Sequence, residues 1–260
     1  MLTGLSTACF YPMETENAFQ AIMEQGIQNT EIFFNSPSEL DREYLADIKK
    51  VMSAYGGRVI SVHPYSSNWE SMLFFSRYDR RLRDGIRLYD DFFDAARYLG
   101  AKYFIFHGLN KDFSVSDELY AERFMLLADE AQKYGITVLQ ENVARCVSGS
   151  ADFIRRMRSI CPDMKFVLDL KQALRAGFSP EEMLISMGDA LCHIHMSDSD
   201  LKDDCRLFGQ GRTDMVSFAR LLTKTGFSGA IIEEVYSSAY SNTDELFDSF
   251  KVMHNFWKDL

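Results

Sequence analysis

The chain has 260 residues, 47% of them hydrophobic and 13% aromatic, which supplies a substantial core and lies outside the composition of disordered proteins. Its formal net charge of −10 excludes a general nucleic-acid surface, which would need clustered Lys and Arg against phosphate. The five cysteines (Cys9, Cys146, Cys161, Cys192 and Cys205) are scattered and form no Cys-x-x-Cys pair, the pattern expected of a reduced, cytoplasmic protein. The first basic residue is Arg42, so no secretory signal is expected, and no apolar run is long enough to cross a membrane.

Short apolar runs then alternate with amphipathic stretches. "TGLSTACF" reads as a first strand, followed by a helix over "ETENAFQAIMEQG" that Gly26 ends. "NTEIFF" is the second strand; "SELDREYLADIKKVMSAYGG" is a helix with Ser38 as its expected N-cap and Gly56 as its stop. "RVISVH" leads into the loop "HPYSSNWESMLFFSRYDRR" and a helix ending at Gly100. "KYFIFH" precedes a helix that Ser116 caps and Gly135 ends. "ITVLQE", "KFVLDL", "LCHIHM" and "GAIIEEVY" complete the set, with Asp214 capping the helix that ends at Gly226.

Eight strands and about eight helices in alternation, with no linker or change of composition, predict one (β/α)8 TIM barrel over residues 1–260. A doubly wound sheet is the competing architecture, but no Gly-x-Gly-x-x-Gly follows the first strand.

Six consecutive strands end in a polar residue: His63, His107, Glu141, Asp169, His195, and Glu233 or Glu234. In a barrel those ends open on one face. Alternation puts Leu139 with Glu141 and His193 with His195, His193 being expected one layer down as a core histidine. Adjacent Glu233 and Glu234 must point opposite ways, and strand eight alone does not choose between them. Carboxylates and imidazoles gathered at one mouth repel or desolvate one another unless a cation joins them. A divalent metal with mixed oxygen and nitrogen ligands is expected, of the Mn, Co, Zn or Fe kind rather than calcium. Taken singly, Asp169 reads instead as the cap of the helix that starts "KQAL", and His63 or His107 as a structural histidine.

"HPY", "FHGL", "QENV", "LDLKQALRAG", "HIHMSD", "GQGRTD" and "IIEEVY", in this order, resemble the xylose isomerase-like TIM barrel superfamily over essentially the whole chain. That superfamily holds sugar and sugar-phosphate isomerases, ketose epimerases, inosose dehydratases and the endonuclease IV family. The resemblance to its sugar epimerases implies one divalent metal (Mn, Co, Zn, Mg or Fe) on Glu141, Asp169, His195 and Glu234. Glu234 is preferred over Glu233 because Val235-Tyr236 follows it. Endonuclease IV relatives would match at His63 and His107, but Gln172 and Cys205 stand where two further ligands would be histidines, which argues against nuclease chemistry. The same Gln172 departs from the histidine that many of the sugar enzymes carry.

The resemblance therefore implies an isomerase or epimerase that moves a proton next to a sugar carbonyl, with Glu141 and Glu234 as the acid/base pair. His63, His107 and Gln172 are expected at the substrate. Tyr65 and Trp69 of the strand-three loop offer aromatic faces, on a loop long enough to serve as a lid, or else pack locally. Arg206 is a candidate for a substrate phosphate or carboxylate. The partner expected is a small sugar or sugar phosphate, not nucleic acid or a membrane, and a homo-oligomer is open. A metal-dependent dehydratase and a non-catalytic ligand-binding barrel are the alternatives.

Overall fold

Each strand sends alternate side chains to opposite faces, and the chain places polar and small residues on one face and large apolar ones on the other. In the computed structural model, which describes residues 1–259, this alternation closes eight parallel strands into a barrel in which β8 pairs with β1. The strands are β1 (Leu2–Ser6), β2 (Asn29–Phe33), β3 (Arg58–His63), β4 (Tyr103–Phe106), β5 (Thr137–Glu141), β6 (Lys165–Asp169), β7 (Leu191–Met196) and β8 (Ala230–Glu233). The outward residues Leu5, Ile32, Val62, Phe104, Val138, Phe166, Ile194 and Ile231 pack into one continuous core beneath the helices. Inside the barrel, Ile105, Leu139 and Val167 form a small apolar plug. Above it, toward the strand C-termini, the interior turns polar.

Among the described residues, ten helices surround the strands rather than about eight: α1 (Thr15–Glu24), α2 (Arg42–Tyr55), α3 (Glu70–Phe74), α4 (Asp79–Leu99), α5 (Asp117–Gln132), α6 (Ala151–Ile160), α7 (Leu170–Arg175), α8 (Pro180–Met187), α9 (Met215–Lys224) and α10 (Thr243–Lys258). The additions are short. α3 forms inside the loop after β3, and α7 is a single turn or so directly on the end of β6. Ser116 and Asp214 cap α5 and α9 as expected, accepting from Leu119 N and Ser217 N. Ser38 does not cap α2. It lies in a 3-10 turn, Pro37–Leu40, and the helix begins after Asp41. No helix among the described residues is long and apolar enough to cross a membrane.

Two irregularities sit where the polar interior begins. The β2–β3 register shifts between Thr30 and Glu31, and the β6–β7 register between Phe166 and Val167. Such shifts re-aim side chains locally, and here they precede Glu31 and the Val167–Asp169 stretch.

Candidate metal and substrate site

Four strand ends converge at the mouth. Glu141 closes β5, Asp169 closes β6, His195 is next to last on β7, and Glu234 follows β8 by one residue. One ligand-capable atom from each lies within 4.8 Å of the others. His195 Nδ1 is 3.1 Å from Glu141 Oε1, 3.0 Å from Glu234 Oε2 and 3.8 Å from Asp169 Oδ2. The sequence's ambiguity at strand eight resolves by alternation. Glu233 shares the outward face with Ile231, where its Oε1 accepts from Phe208 N at 3.3 Å and from the Ser249 hydroxyl. Burial pushes that carboxyl up to about 7. Asp169 is the helix cap that one reading of the sequence allowed, and it also reaches the cluster. Its Oδ1 caps α7 by accepting from Gln172 N at 2.9 Å, while Oδ2 faces the cluster.

Beneath the cluster lies a polar layer centred on Glu31, a residue inside the second apolar run that the sequence reading passed over. Its Oε2 accepts from Ser61 Oγ at 2.7 Å and lies 3.1 Å from His195 Nε2 and 3.3 Å from His193 Nε2. All four residues are fully buried. His193 is the core histidine expected one layer down. Burial raises the cost of charge on both Glu31 and His195. Their mutual attraction outweighs it only with help, from His193 at Glu31 and from Glu234, Asp169 and Glu141 at His195, so the Glu31 carboxyl is held well below the usual range and His195 is lifted well above its own. With Nε2 committed to Glu31, His195 presents Nδ1 to the cluster.

His63 and His107 flank Glu141 on the other side. His107 Nε2 is 2.8 Å from Glu141 Oε2 and 2.9 Å from His63 Nε2. Burial lowers the His107 pKa to about 4 despite Glu141, so its ring is neutral. Arg145 settles the tautomer: its Nη2 donates to His107 Nδ1 at 3.1 Å, and a guanidinium can only donate. The ring hydrogen is therefore on Nε2, facing Glu141 and His63.

Lys171, two residues beyond Asp169, is a second residue the sequence reading left unassigned. Its ammonium sits 2.5 Å from Asp169 Oδ2 and 2.8 Å from Glu234 Oε2, with the side chain 4% exposed. Burial disfavours the charge, but Asp169 and Glu234 more than compensate and raise its pKa well above the ordinary lysine value. Together with His195 it holds Glu234 well below the usual carboxylate range, against burial.

The other sequence candidates take local partners. Gln172 points its Oε1 at Ala144 N, 3.0 Å away, tying the loops after β5 and β6 together. Arg206 is paired with Asp200 and Asp203 of its own loop. Both groups take partners on the same rim. Tyr65 packs on Phe92 of α4 with ring centroids 5.1 Å apart, and Trp69 stands edge-on to it and half exposed. The loop that carries them is docked rather than free. Phe74 and Phe75 are buried against Tyr89, Phe106 and Tyr120. Glu70, fully buried, accepts from Gly108 N at 2.5 Å and from Tyr89 Oη at 3.0 Å.

A cavity of about 280 Å³ opens beside the cluster, lined by Ala8, Tyr11, Phe33, Asn35, Lys171, Glu234, Val235 and Tyr236. Phe33 stacks on His63 at 4.5 Å. The cavity thus pairs aromatic walls, suited to the C–H faces of a sugar, with a charged end at Glu234 and Lys171.

The donor set fits a divalent metal. Three carboxylates and one imidazole supply the oxygen–nitrogen mixture such ions take, and Glu31 orients the imidazole from behind, as outer-shell carboxylates do at metal-bound histidines.

The sequence profile described as xylose isomerase-like TIM barrel matches residues 19–255. An uncharacterized protein of Mycobacterium leprae is 24% identical over 264 residues, covering 93% of this chain and 91% of its own length. Among solved structures, a D-tagatose 3-epimerase-like protein superimposes with a TM-score of 0.79 at 16% identity, covering 99% of this chain and 97% of its own. The Escherichia coli 3-keto-D-glucoside 4-epimerase YcjR does so with a TM-score of 0.78 at 17% identity over 98% and 99% of the two chains. The IOLI protein, solved with a bound zinc atom, gives 0.78 at 17% identity over 98% and 96%. At these identities the structural matches establish the fold.

Proposed function

Because the chain belongs to the xylose isomerase-like TIM barrel family, we propose that it is a divalent-metal-dependent sugar isomerase or epimerase. The observation that carries this reading is the convergence of Glu141, Asp169, His195 and Glu234 within 4.8 Å at the barrel mouth, beside an aromatic-walled cavity. Those four residues would hold the ion. When bound, it would supply Lewis-acid stabilisation of negative charge developing on the substrate carbonyl and hydroxyl oxygens.

The chain's own groups account for the rest. Glu234 lines the cavity, and its Oε1 takes no hydrogen bond among the described residues, leaving that oxygen available to accept a proton from a substrate carbon. Glu141 approaches from the side of His107 and is the partner carboxylate that returns a proton. The Nε2–H of neutral His107 is directed at Glu141 and would orient that carboxylate, and His63 stands beside it. Phe33, Tyr11 and Tyr236 would hold the apolar face of the sugar and keep water from the reacting carbon. The names of the matched epimerases support this choice of substrate class.

Solvent-deuterium incorporation into a panel of ketoses and aldoses tests the reading. Metal-loaded protein incorporates label at carbon next to the carbonyl, and Glu234→Gln abolishes it. Loss of water from the substrate in place of exchange would assign a dehydratase instead, and no reaction across the panel with metal bound would favour a binding protein.

A further inference from the structure

The oxygens that would grip a metal are already gripped by a cation belonging to the chain. Lys171 Nζ lies 2.5 Å from Asp169 Oδ2 and 2.8 Å from Glu234 Oε2, the same two oxygens that face His195 Nδ1. The arrangement is built rather than incidental. Asp169 ends β6, and α7 begins at once, so Lys171 leaves the first turn of that helix with its stem buried and its head between the two carboxylates. Four acidic side chains (Glu31, Glu141, Asp169 and Glu234) crowd this end of the barrel, and buried charges of one sign need a counter-charge.

We infer that Lys171 is the resident counter-ion of this cluster, which a divalent metal must displace from Asp169 and Glu234 in order to bind. A metal and an ammonium cannot share those lone pairs at contact distance without strong repulsion. The structure also provides somewhere for the ammonium to go. The Tyr236 ring centroid is 5.7 Å from Nζ, the Glu234 carbonyl is 3.3 Å away, and Lys171 already lines the cavity wall. A swing toward Tyr236 would keep the charge over an aromatic face while freeing both carboxylates. Lys171 thus weakens metal binding and keeps the metal-free barrel from carrying uncompensated buried acid. This inference rests on the metal-site part of the proposed function and not on the identity of the reaction.

The test is the dissociation constant for Zn²⁺ and for Mn²⁺, measured by competition with a chromogenic chelator on wild type, Lys171→Met and Lys171→Arg. Removing the charge is expected to tighten binding by about tenfold or more, while Arg, which keeps it, binds no tighter than wild type. In parallel, added metal should raise the melting temperature of Lys171→Met more than that of wild type. Circular dichroism establishes that each variant is folded, with Lys171→Gln replacing the Met variant should that one fail. Equal or weaker binding by the neutral variants, or equal tightening by Met and Arg, would overturn this inference alone. Metal bound by none of the proteins would overturn the metal site and the inference together.

Discussion

Glu31 and His195 are 164 residues apart in the chain, yet the carboxylate Oε2 of one lies 3.1 Å from the ring Nε2 of the other, both fully buried. Because Nε2 is committed downward to Glu31, Nδ1 is the nitrogen that faces Glu141, Asp169 and Glu234. Orientation of the one imidazole in the cluster thus depends on a residue outside it. Replacing Glu31 with Gln keeps the size and removes the charge. Metal affinity should fall by roughly 10- to 100-fold, the usual cost of losing such an outer partner, with a far-UV spectrum like wild type. Chelator competition measures the first and circular dichroism the second.

Glu70 ties the loop after β3 to the end of β4, and burial pushes its carboxyl up to about 8. The unfolded chain releases that proton near the ordinary glutamate value of about 4.3. Between those values the folded state holds a proton that the unfolded state has lost, so this residue's contribution falls as pH rises, by up to about 1.4 kcal/mol per unit. Stability is greatest from this source below about pH 4.3 and its loss is complete above about pH 8. Urea titrations of metal-free wild type and Glu70→Gln from pH 5 to 8.5 should show the difference shifting in favour of the variant with rising pH. A difference independent of pH would contradict the assignment.

Gly108 follows His107 with φ +87°, and a Cβ there would collide with the Tyr120 hydroxyl and sit 3.2 Å from Gln140 Oε1. Gly108→Ala combines left-handed strain with overpacking and should cost about 1–3 kcal/mol in chemical denaturation. Because the same turn positions His107, turnover should fall more than the stability loss alone accounts for. Full activity in the fraction that remains folded would show that His107 is not needed in its observed place.

Phe33 forms one wall of the cavity and stacks on His63. Phe33→Ala removes that wall without touching a proposed ligand. Once a substrate is in hand, KM should rise by about tenfold, on the scale of a lost aromatic contact, with kcat changing much less. The reverse pattern, a fall in kcat at constant KM, would place Phe33 in the chemistry rather than in binding.

The rim was legible because a carboxylate or imidazole at the end of an apolar strand has few structural reasons to be there, as with Glu141, Asp169 and His195. Strand alternation alone could not separate Glu233 from Glu234, and the preference for Glu234 came from the resemblance; the barrel puts Glu233 on the outward face with Ile231. Glu31 was hidden inside "NTEIFF", where one charged residue reads as an interruption, and its partners His193 and His195 come from β7, far along the chain. Lys171 read as an ordinary residue at a helix start, since only the immediate onset of α7 after β6 turns it inward. The local partners of Gln172 and Arg206, namely Ala144, Asp200 and Asp203, follow from loop conformation, which no periodicity encodes.

The central claim is that Glu141, Asp169, His195 and Glu234 together hold one divalent ion. Equilibrium dialysis against excess Mn²⁺ or Zn²⁺, with elemental analysis of wild type and of an Asp169→Asn, His195→Gln double variant, tests it most directly. The account predicts about one ion per wild-type chain, following the single four-residue donor set, and a large loss of it in the folded double variant. No bound ion in wild type at any loading, or the same stoichiometry and affinity in both proteins, would contradict it.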